Sequence, residues 1–218
     1  MNISKLRFIL LGASALSLGT VLGTLLWLKI TLPVIHHDFS GNSLDGLRQY
    51  GSVPEFSLVE RSNKKIGLSD LRGKVWVADF IYTRCTDTCP LQTADMAKLQ
   101  EAWTNAADLK LVSFSVDPER DTPAVLSQYA DRFKADAQRW LFLTGGKEEI
   151  AGLVGDGFRL AAQPAPGGVA ESGVIMHSPR FVLVDRQAKI RGYYDNRDPD
   201  AMRRLKNDVA TLLNDKKE

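Results

Sequence analysis

Cysteine is nearly absent from this chain of 218 residues, which has only Cys85 and Cys89. Two cysteines are too few for a disulfide framework or for a structural zinc site, which takes four protein ligands. A thiol pair that occurs once, within the run DFIYTRCTDTCPL, points to chemistry. The plainer alternative is a small structural disulfide or two idle thiols, but a disulfide across so short a loop would stabilise the fold little.

A large excess of charge is also lacking. The formal net charge is +2, and no basic stripe runs along the chain, so nothing favours nucleic acid as a partner. Internal repeats are missing as well. After the first 29 residues about 190 remain, which is enough for one well-packed domain.

Only one long apolar run occurs, the 21 uncharged residues from Phe8 to Leu28. As a helix it would be about 31 Å long, which matches a bilayer core of about 30 Å. We interpret residues 1–29 as an N-terminal transmembrane anchor. Lys5 and Arg7 precede the run, so the positive-inside rule predicts that the N-terminus stays in the cytoplasm and that the rest of the chain is exported. For a bacterial source this predicts a single-pass protein of the cytoplasmic membrane with its C-terminal domain in the periplasm.

A cleaved signal peptide is the alternative to the anchor. The apolar run is longer than an ordinary signal sequence, and its only Ala-Ser-Ala lies inside it, at Ala13 to Ala15. Residues 30–52 lack periodicity and are interpreted as a periplasmic tether. Its neighbouring His36 and His37 could contact a metal, but adjacent residues are poorly placed to chelate one ion together. Because an exported compartment is oxidising, two isolated cysteines there indicate a redox or metal role.

The cysteines follow a predicted strand and precede a predicted helix. Residues 74–82, KVWVADFIY, are typical of a buried central strand, and helical spacing begins at Pro90. Backbone N–H groups and the helix dipole favour negative charge at a helix N-terminus. We therefore expect both thiols to have lowered pKa values.

The spacing C-x-x-x-C has one residue more than the C-x-x-C of thioredoxins. Four-residue spacing places both sulfur atoms on the same side of a helical turn or bulged loop, where they can converge on one ion. Thiolates are soft donors and select Cu(I) over hard cations. The spacing therefore favours a copper site, and a redox-active thiol pair is the alternative.

The remaining segments predict an α/β domain over residues 53–218, with a thioredoxin-like fold, an N-terminal hairpin and insertions. The sequence favours strands at 109–117 and 140–144 and a hairpin at 179–195. It also favours helices at 147–157 and 198–213 and a helix that begins after Thr122. Right-handed crossovers would place the start of the Phe181 strand beside the cysteines, so His177 would face them. The Pro- and Gly-rich residues 163–173, just before it, predict a mobile insertion.

Four segments resemble the Sco/SenC family of membrane-anchored copper chaperones: FIYTRCTDTCPLQ, SVDPERDTPAVL, LTGGKEEI and MHSPRFVLVD. The resemblance covers about Val53 to Leu213. It implies a thioredoxin-like fold and Cu(I) or Cu(II) bound by Cys85, Cys89 and His177. It also implies a role in building the dinuclear copper A centre of cytochrome c oxidase subunit II.

Two positions depart from the family pattern, which often has proline after the first cysteine and an acidic residue before the histidine. Thr86 and Met176 stand there. The departure at Met176 removes a charge that could tune copper affinity, and its thioether is a weak candidate donor. The three ligands themselves are unaffected.

We therefore expect a copper metallochaperone that delivers copper to subunit II or to another cuproprotein. The main alternative is a thiol-disulfide oxidoreductase, in which the redox-active pair Cys85 and Cys89 keeps the acceptor's copper-ligand cysteines reduced. A peroxidase is a weaker third reading. Whether the chain is an enzyme stays open, and it is expected to be primarily a metal-binding assembly factor.

Overall fold

The structure is a computed structural model that describes residues 47–86, 88–160 and 179–215. Across these ranges no helix is both long enough and apolar enough to cross a membrane. The predicted anchor at 1–29, the two tether histidines, the insertion at 163–173, Met176 and His177 lie outside the described residues.

Eight strands and five α-helices form the described part of the chain. In chain order they are β1 (Gly51–Ser52), β2 (Ser57–Glu60), β3 (Lys65–Gly67), α1 (Leu68–Leu71), β4 (Val75–Ile81), α2 (Thr88–Ala102), β5 (Leu109–Ser115), α3 (Pro123–Arg132), β6 (Trp140–Thr144), α4 (Lys147–Gly152), β7 (Arg180–Val184), β8 (Lys189–Asp195) and α5 (Pro199–Asn214). A π-helical turn, Leu153–Gly157, continues α4. The strands make one sheet in the order β1-β8-β7-β4-β5-β6-β2-β3.

Strand β4 lies near the centre of the sheet. All seven of its residues are buried, as expected for a strand that is covered on both faces. It runs parallel to β5, in a register that pairs Val75 with Leu109 and Ile81 with Ser115. Strand β5 in turn runs parallel to β6. The carboxyl ends of these three strands therefore meet at one edge of the sheet.

The two faces of β4 enter two different hydrophobic clusters, because successive side chains point to opposite sides of a strand. Trp76 and Phe80 pack with Phe114 and Phe158 on the face covered by α1, α4 and the π-helical turn. The odd-numbered residues of β4 face α2, α3 and α5 instead, in the cluster that contains both cysteines.

The α/β class, the two hairpins and the central strand are confirmed. The predicted N-cap Thr122 accepts from the Val125 backbone N–H, with Pro123 opening α3. Helix α2 begins at Thr88 rather than at Pro90, so Cys89 lies inside its first turn. Strand β1 was not predicted; it pairs with β8 and falls in the stretch interpreted as tether.

Strand β7 runs antiparallel to β4, with Ala78 paired to Val182 and Trp76 to Val184. The start of β7 therefore lies at the carboxyl end of β4, where the cysteine loop begins. The predicted neighbourhood of these two strands is confirmed.

Candidate metal and thiol site at the carboxyl edge of the sheet

The two cysteines are joined by a contact across the start of α2. The backbone N–H of Cys89 donates to Sγ of Cys85 over 3.3 Å, and the hydroxyl of Thr88 lies 4.0 Å from the same sulfur. The Cys85 N–H donates to the carbonyl of Tyr82 at 3.1 Å, which closes the turn that precedes the helix. The N–H that reaches the sulfur is one that a helix N-terminus leaves without an intrahelical partner.

Both cysteines are buried, although they lie near the edge of the sheet. Cys85 is 7% exposed and Cys89 is fully buried. Both are thiols rather than the two halves of a disulfide. Of the two residues, Cys85 is therefore the one that solvent reaches.

The expectation that both thiols have lowered pKa values is wrong for Cys89. Burial raises the pKa of this thiol from 9.0 to about 12, while the backbone at Tyr82 lowers it only in part. The helix N–H points at the sulfur of Cys85, whereas the sulfur of Cys89 turns into the core. Loss of hydration therefore outweighs the favourable field of the helix end.

A buried carboxyl lies in the layer beneath the thiols. Asp79 is fully buried on the face of β4 that packs against the cysteine helix. Neither of its oxygens has a hydrogen-bond partner among the described residues, although Ser113 stands opposite on β5. Burial raises the pKa of Asp79 to about 7. A negative charge at Asp79 also raises the pKa of Cys89.

The hydroxyl groups of Thr93 and Tyr129 connect the first turns of α2 to α3. Thr93 Oγ1 donates to the carbonyl of Cys89 at 2.8 Å and lies 2.8 Å from the hydroxyl of Tyr129 on α3. Burial raises the pKa of Tyr129 well above its ordinary value, so this hydroxyl stays neutral. The pair ties the backbone of Cys89 to a neighbouring helix.

The first turns of α2 also contact the start of β7. The side-chain amide of Gln92 donates to the carbonyl of Arg180 at 3.3 Å. Gln92 is three residues after Cys89, and Arg180 is three residues after His177. This bond ties the start of β7 to the cysteine helix.

The described residues supply two soft donors to the site. No group of three or more His, Cys, Asp and Glu side chains within residues 47–86, 88–160 and 179–215 could hold a metal ion. The pair itself suits a soft cation such as Cu(I), because thiolates are soft donors. Both sulfurs can contact the same ion because they belong to one turn. The third predicted ligand, His177, lies outside the described residues.

Sequence reasoning missed the polar residues that surround the thiols. Asp79 had a visible signal, because it is the only charged residue in the apolar run VWVADFI. Asp121 had none. Its carboxylate accepts from the N–H and the hydroxyl of Thr83, which is 38 residues earlier in the chain.

The chain matches the family model described as SCO1/SenC over residues 46–214. A solved SCO1/SenC family lipoprotein from Bacillus anthracis is 34% identical, with a TM-score of 0.65; the match covers 74% of this chain and 95% of that one. BsSco, a member of the Sco family of cytochrome c oxidase assembly proteins in which a disulfide switch was identified, is 30% identical. Its TM-score is 0.64, over 77% of this chain and 97% of that one.

A copper-bound structure is also similar. ScoI of Bradyrhizobium japonicum with copper bound is 26% identical, with a TM-score of 0.57, over 72% of this chain and 98% of that chain. The mixed α/β fold of the described residues thus matches the thioredoxin-like fold of Sco structures.

The buried carboxyl generates a prediction about stability. The folded-state pKa of Asp79, about 7, lies above its unfolded value, so ionisation costs stability as the pH rises from about 4 to about 7. Relative to wild type, Asp79→Asn should gain up to about 4 kcal/mol in free energy of unfolding over this range. Urea unfolding at pH 4.5 and pH 8 measures the difference.

Asp136→Asn is the matched control for that measurement. Arg139 holds the pKa of Asp136 below its ordinary value, so this carboxyl is ionised in both the folded and the unfolded chain from pH 4.5 to pH 8. Asp136→Asn should therefore show the same change in stability between these two pH values as wild type. Parallel pH profiles for wild type and Asp79→Asn would contradict the assignment of a raised pKa to this carboxyl.

Proposed function

Because the chain belongs to the SCO1/SenC family, we propose that it carries copper in the assembly of cytochrome c oxidase. In this proposal Cys85, Cys89 and His177 bind the ion. The acceptor is the copper A centre of subunit II or a site of similar chemistry in another cuproprotein. The family resemblance of the cysteine and histidine segments supports the ligand set.

The observation that carries the proposal is the bond from Gln92 to Arg180. His177 is three residues before Arg180 in the sequence, and three residues of extended chain reach at most about 11 Å. Arg180 in turn contacts the helix whose first turn contains Cys89. This contact between the start of β7 and the cysteine helix supports the proposal that His177 completes the site.

The chemistry of the donors fits copper. Two thiolates and one imidazole suit Cu(I) and exclude hard cations such as Mg²⁺. The Cys89 thiol must lose its proton when the ion binds, so copper binding and proton release are coupled. A site with three ligands can exchange its imidazole for a thiolate of the acceptor and pass the ion on in steps.

Residues 1–29 are proposed to anchor the domain at the bacterial cytoplasmic membrane, with the C-terminal domain in the periplasm. The uncharged run from Phe8 to Leu28 supports this part of the proposal. The relative from Bacillus anthracis is described as a lipoprotein, a class of protein that a covalent lipid holds at a membrane. An anchor would keep the carrier in the same plane as an oxidase subunit.

Thiol-disulfide exchange is the second candidate function, because both thiols lie on one turn and BsSco has a disulfide switch. The Cys85 thiolate would attack a disulfide of the acceptor and release one acceptor thiolate. Cys89 would then attack Cys85 in the mixed disulfide and release the second. The acceptor gains two electrons, and a separate thiol reductant must reduce the Cys85–Cys89 disulfide afterwards.

The ligand set generates the first test of this proposal. Cys85→Ser, Cys89→Ser and His177→Ala should each weaken Cu(I) binding by more than the 10- to 100-fold typical of residues that only orient a ligand. Competition with a Cu(I) chelator, using the reduced full-length protein, measures the affinity. His36→Ala and His37→Ala are matched controls and should bind like wild type.

The same variants separate the two candidate functions. A carrier loses copper affinity in His177→Ala, whereas a pure oxidoreductase keeps most of its rate of exchange with a disulfide substrate in that variant. If the reduced wild-type protein does not retain copper, the carrier proposal is wrong and the oxidoreductase is favoured.

The proton on Cys89 generates a pH prediction. The pKa of this thiol is about 12, so it is protonated in the metal-free protein at pH 6 to 8. Loss of this one proton should by itself tighten Cu(I) binding by about tenfold for each unit of pH increase, and any proton that Cys85 or His177 also loses adds to that slope. Chelator competition at pH 6, 7 and 8, corrected for protonation of the chelator, measures the slope. An affinity that does not change with pH would mean that Cys89 is not a ligand.

A further inference from the structure

The segment SVDPERDTP, which carries part of the family resemblance, contains a buried carboxylate with three donors. Asp121 is fully buried. Its Oδ1 accepts from the hydroxyl of Thr83 at 2.6 Å. Its Oδ2 accepts from the Thr83 backbone N–H at 3.1 Å and from the Ser115 hydroxyl at 2.6 Å. Both oxygens are therefore used within the fold.

These bonds join the two loops that leave the carboxyl ends of β4 and β5. Ile81 and Ser115 are register partners at the ends of the two strands, and the Val116 N–H extends the ladder by donating to Ile81 at 2.8 Å. Beyond that point the chains separate. The carboxylate of Asp121 reconnects them at Thr83, two residues before Cys85.

The loop that carries Asp121 is itself well fixed. The N–H of Asp121 donates to the Asp117 carbonyl at 2.9 Å, and the Asp117 N–H donates to the Ser115 hydroxyl at 3.1 Å. Thr122, the next residue, caps α3. The carboxylate is thus held on a rigid support, as a group must be if it is to fix a neighbouring loop.

The donors around Asp121 are all neutral. They are two hydroxyls and one backbone N–H, and none of the ion pairs within the described ranges involves this carboxylate. A buried carboxylate without a cationic partner is costly unless several donors satisfy it, so this carboxylate depends on the three donors that it holds in place. Asparagine at position 121 has nearly the same shape, but its amide NH2 group would replace one acceptor oxygen. That group would then face at least one of the three donors and could not accept from it.

We propose that Asp121 is a positioning residue for the thiol pair. By holding Thr83 at both its N–H and its hydroxyl, Asp121 fixes the turn from Tyr82 to Cys85 and so the place of the first sulfur. Loss of this hold would let the turn open, which separates Cys85 from the start of α2 and exposes both sulfurs. The copper readout below rests on the proposed function, whereas the alkylation readout does not.

The test compares two substitutions that each remove one hydroxyl from the same carboxylate. Thr83→Val acts on the cysteine loop, whereas Ser115→Ala acts at the end of β5. Thr83→Ser keeps the hydroxyl and should behave like wild type, and Asp121→Asn replaces one acceptor oxygen of the carboxylate by a donor amide. For each full-length reduced protein the measurements are the melting temperature, the rate of cysteine alkylation by iodoacetamide under native conditions, and Cu(I) affinity by chelator competition.

A positioning role predicts a split between these variants. Thr83→Val and Asp121→Asn should be alkylated about tenfold faster than wild type or more, and should bind Cu(I) about 10- to 100-fold more weakly. Ser115→Ala should lower the melting temperature comparably to Thr83→Val, yet keep alkylation and copper binding near wild type. Thr83→Ser should behave as wild type in both.

Two results would overturn the proposal. One is alkylation of Ser115→Ala that is as fast as that of Thr83→Val, since the carboxylate would then be a general stabiliser. The other is Thr83→Val with unchanged alkylation, which remains decisive even if Asp121→Asn fails to fold. If wild type binds no copper while the alkylation split is present, the carrier function fails and the positioning role stands.

Discussion

The parallel pairing of β4 with β5 is the constraint on which the site depends. Parallel strands end at the same edge of a sheet, so the loops after Ile81 and Ser115 leave side by side. One loop carries the cysteines, and the other carries Asp121. Strand β7 enters this edge from the opposite direction, because it is antiparallel to β4. Three segments that are distant in sequence thereby reach the same edge of the sheet.

Burial gives the thiol pair its chemical character. A soft ion competes with a proton for each sulfur, and the proton is held more tightly where water is excluded. At Cys89 this exclusion outweighs the helix end, and the nearby carboxyl of Asp79 adds to the cost of a thiolate. A bound cation would remove that cost, because it neutralises the negative charge that the core cannot solvate. The site therefore favours cargo that brings positive charge.

The sequence predicted those features that depend on neighbours along the chain. Local hydrophobic patterns and turn residues predict the strand VWVADFI, the cap at Thr122 and the hairpin of β7 and β8. The structure confirms all three. The pKa of Cys89 was mispredicted because helix position is visible in a sequence, whereas the direction of a sulfur into the core is not. The bond from Thr83 to Asp121 depends on the register of two strands and has no local signal.

Copper carriage and disulfide exchange place opposite requirements on Cys89. As the resolving residue of an exchange reaction, this cysteine must be a thiolate before it attacks, and a pKa of about 12 makes that form rare at neutral pH. As a ligand, the same cysteine can lose its proton in the step that forms the sulfur-metal bond. The buried sulfur thus disfavours the free thiolate that exchange requires, whereas metal binding can expel the proton as the bond forms. The protonated, buried Cys89 is therefore better suited to binding a metal ion than to attacking a disulfide.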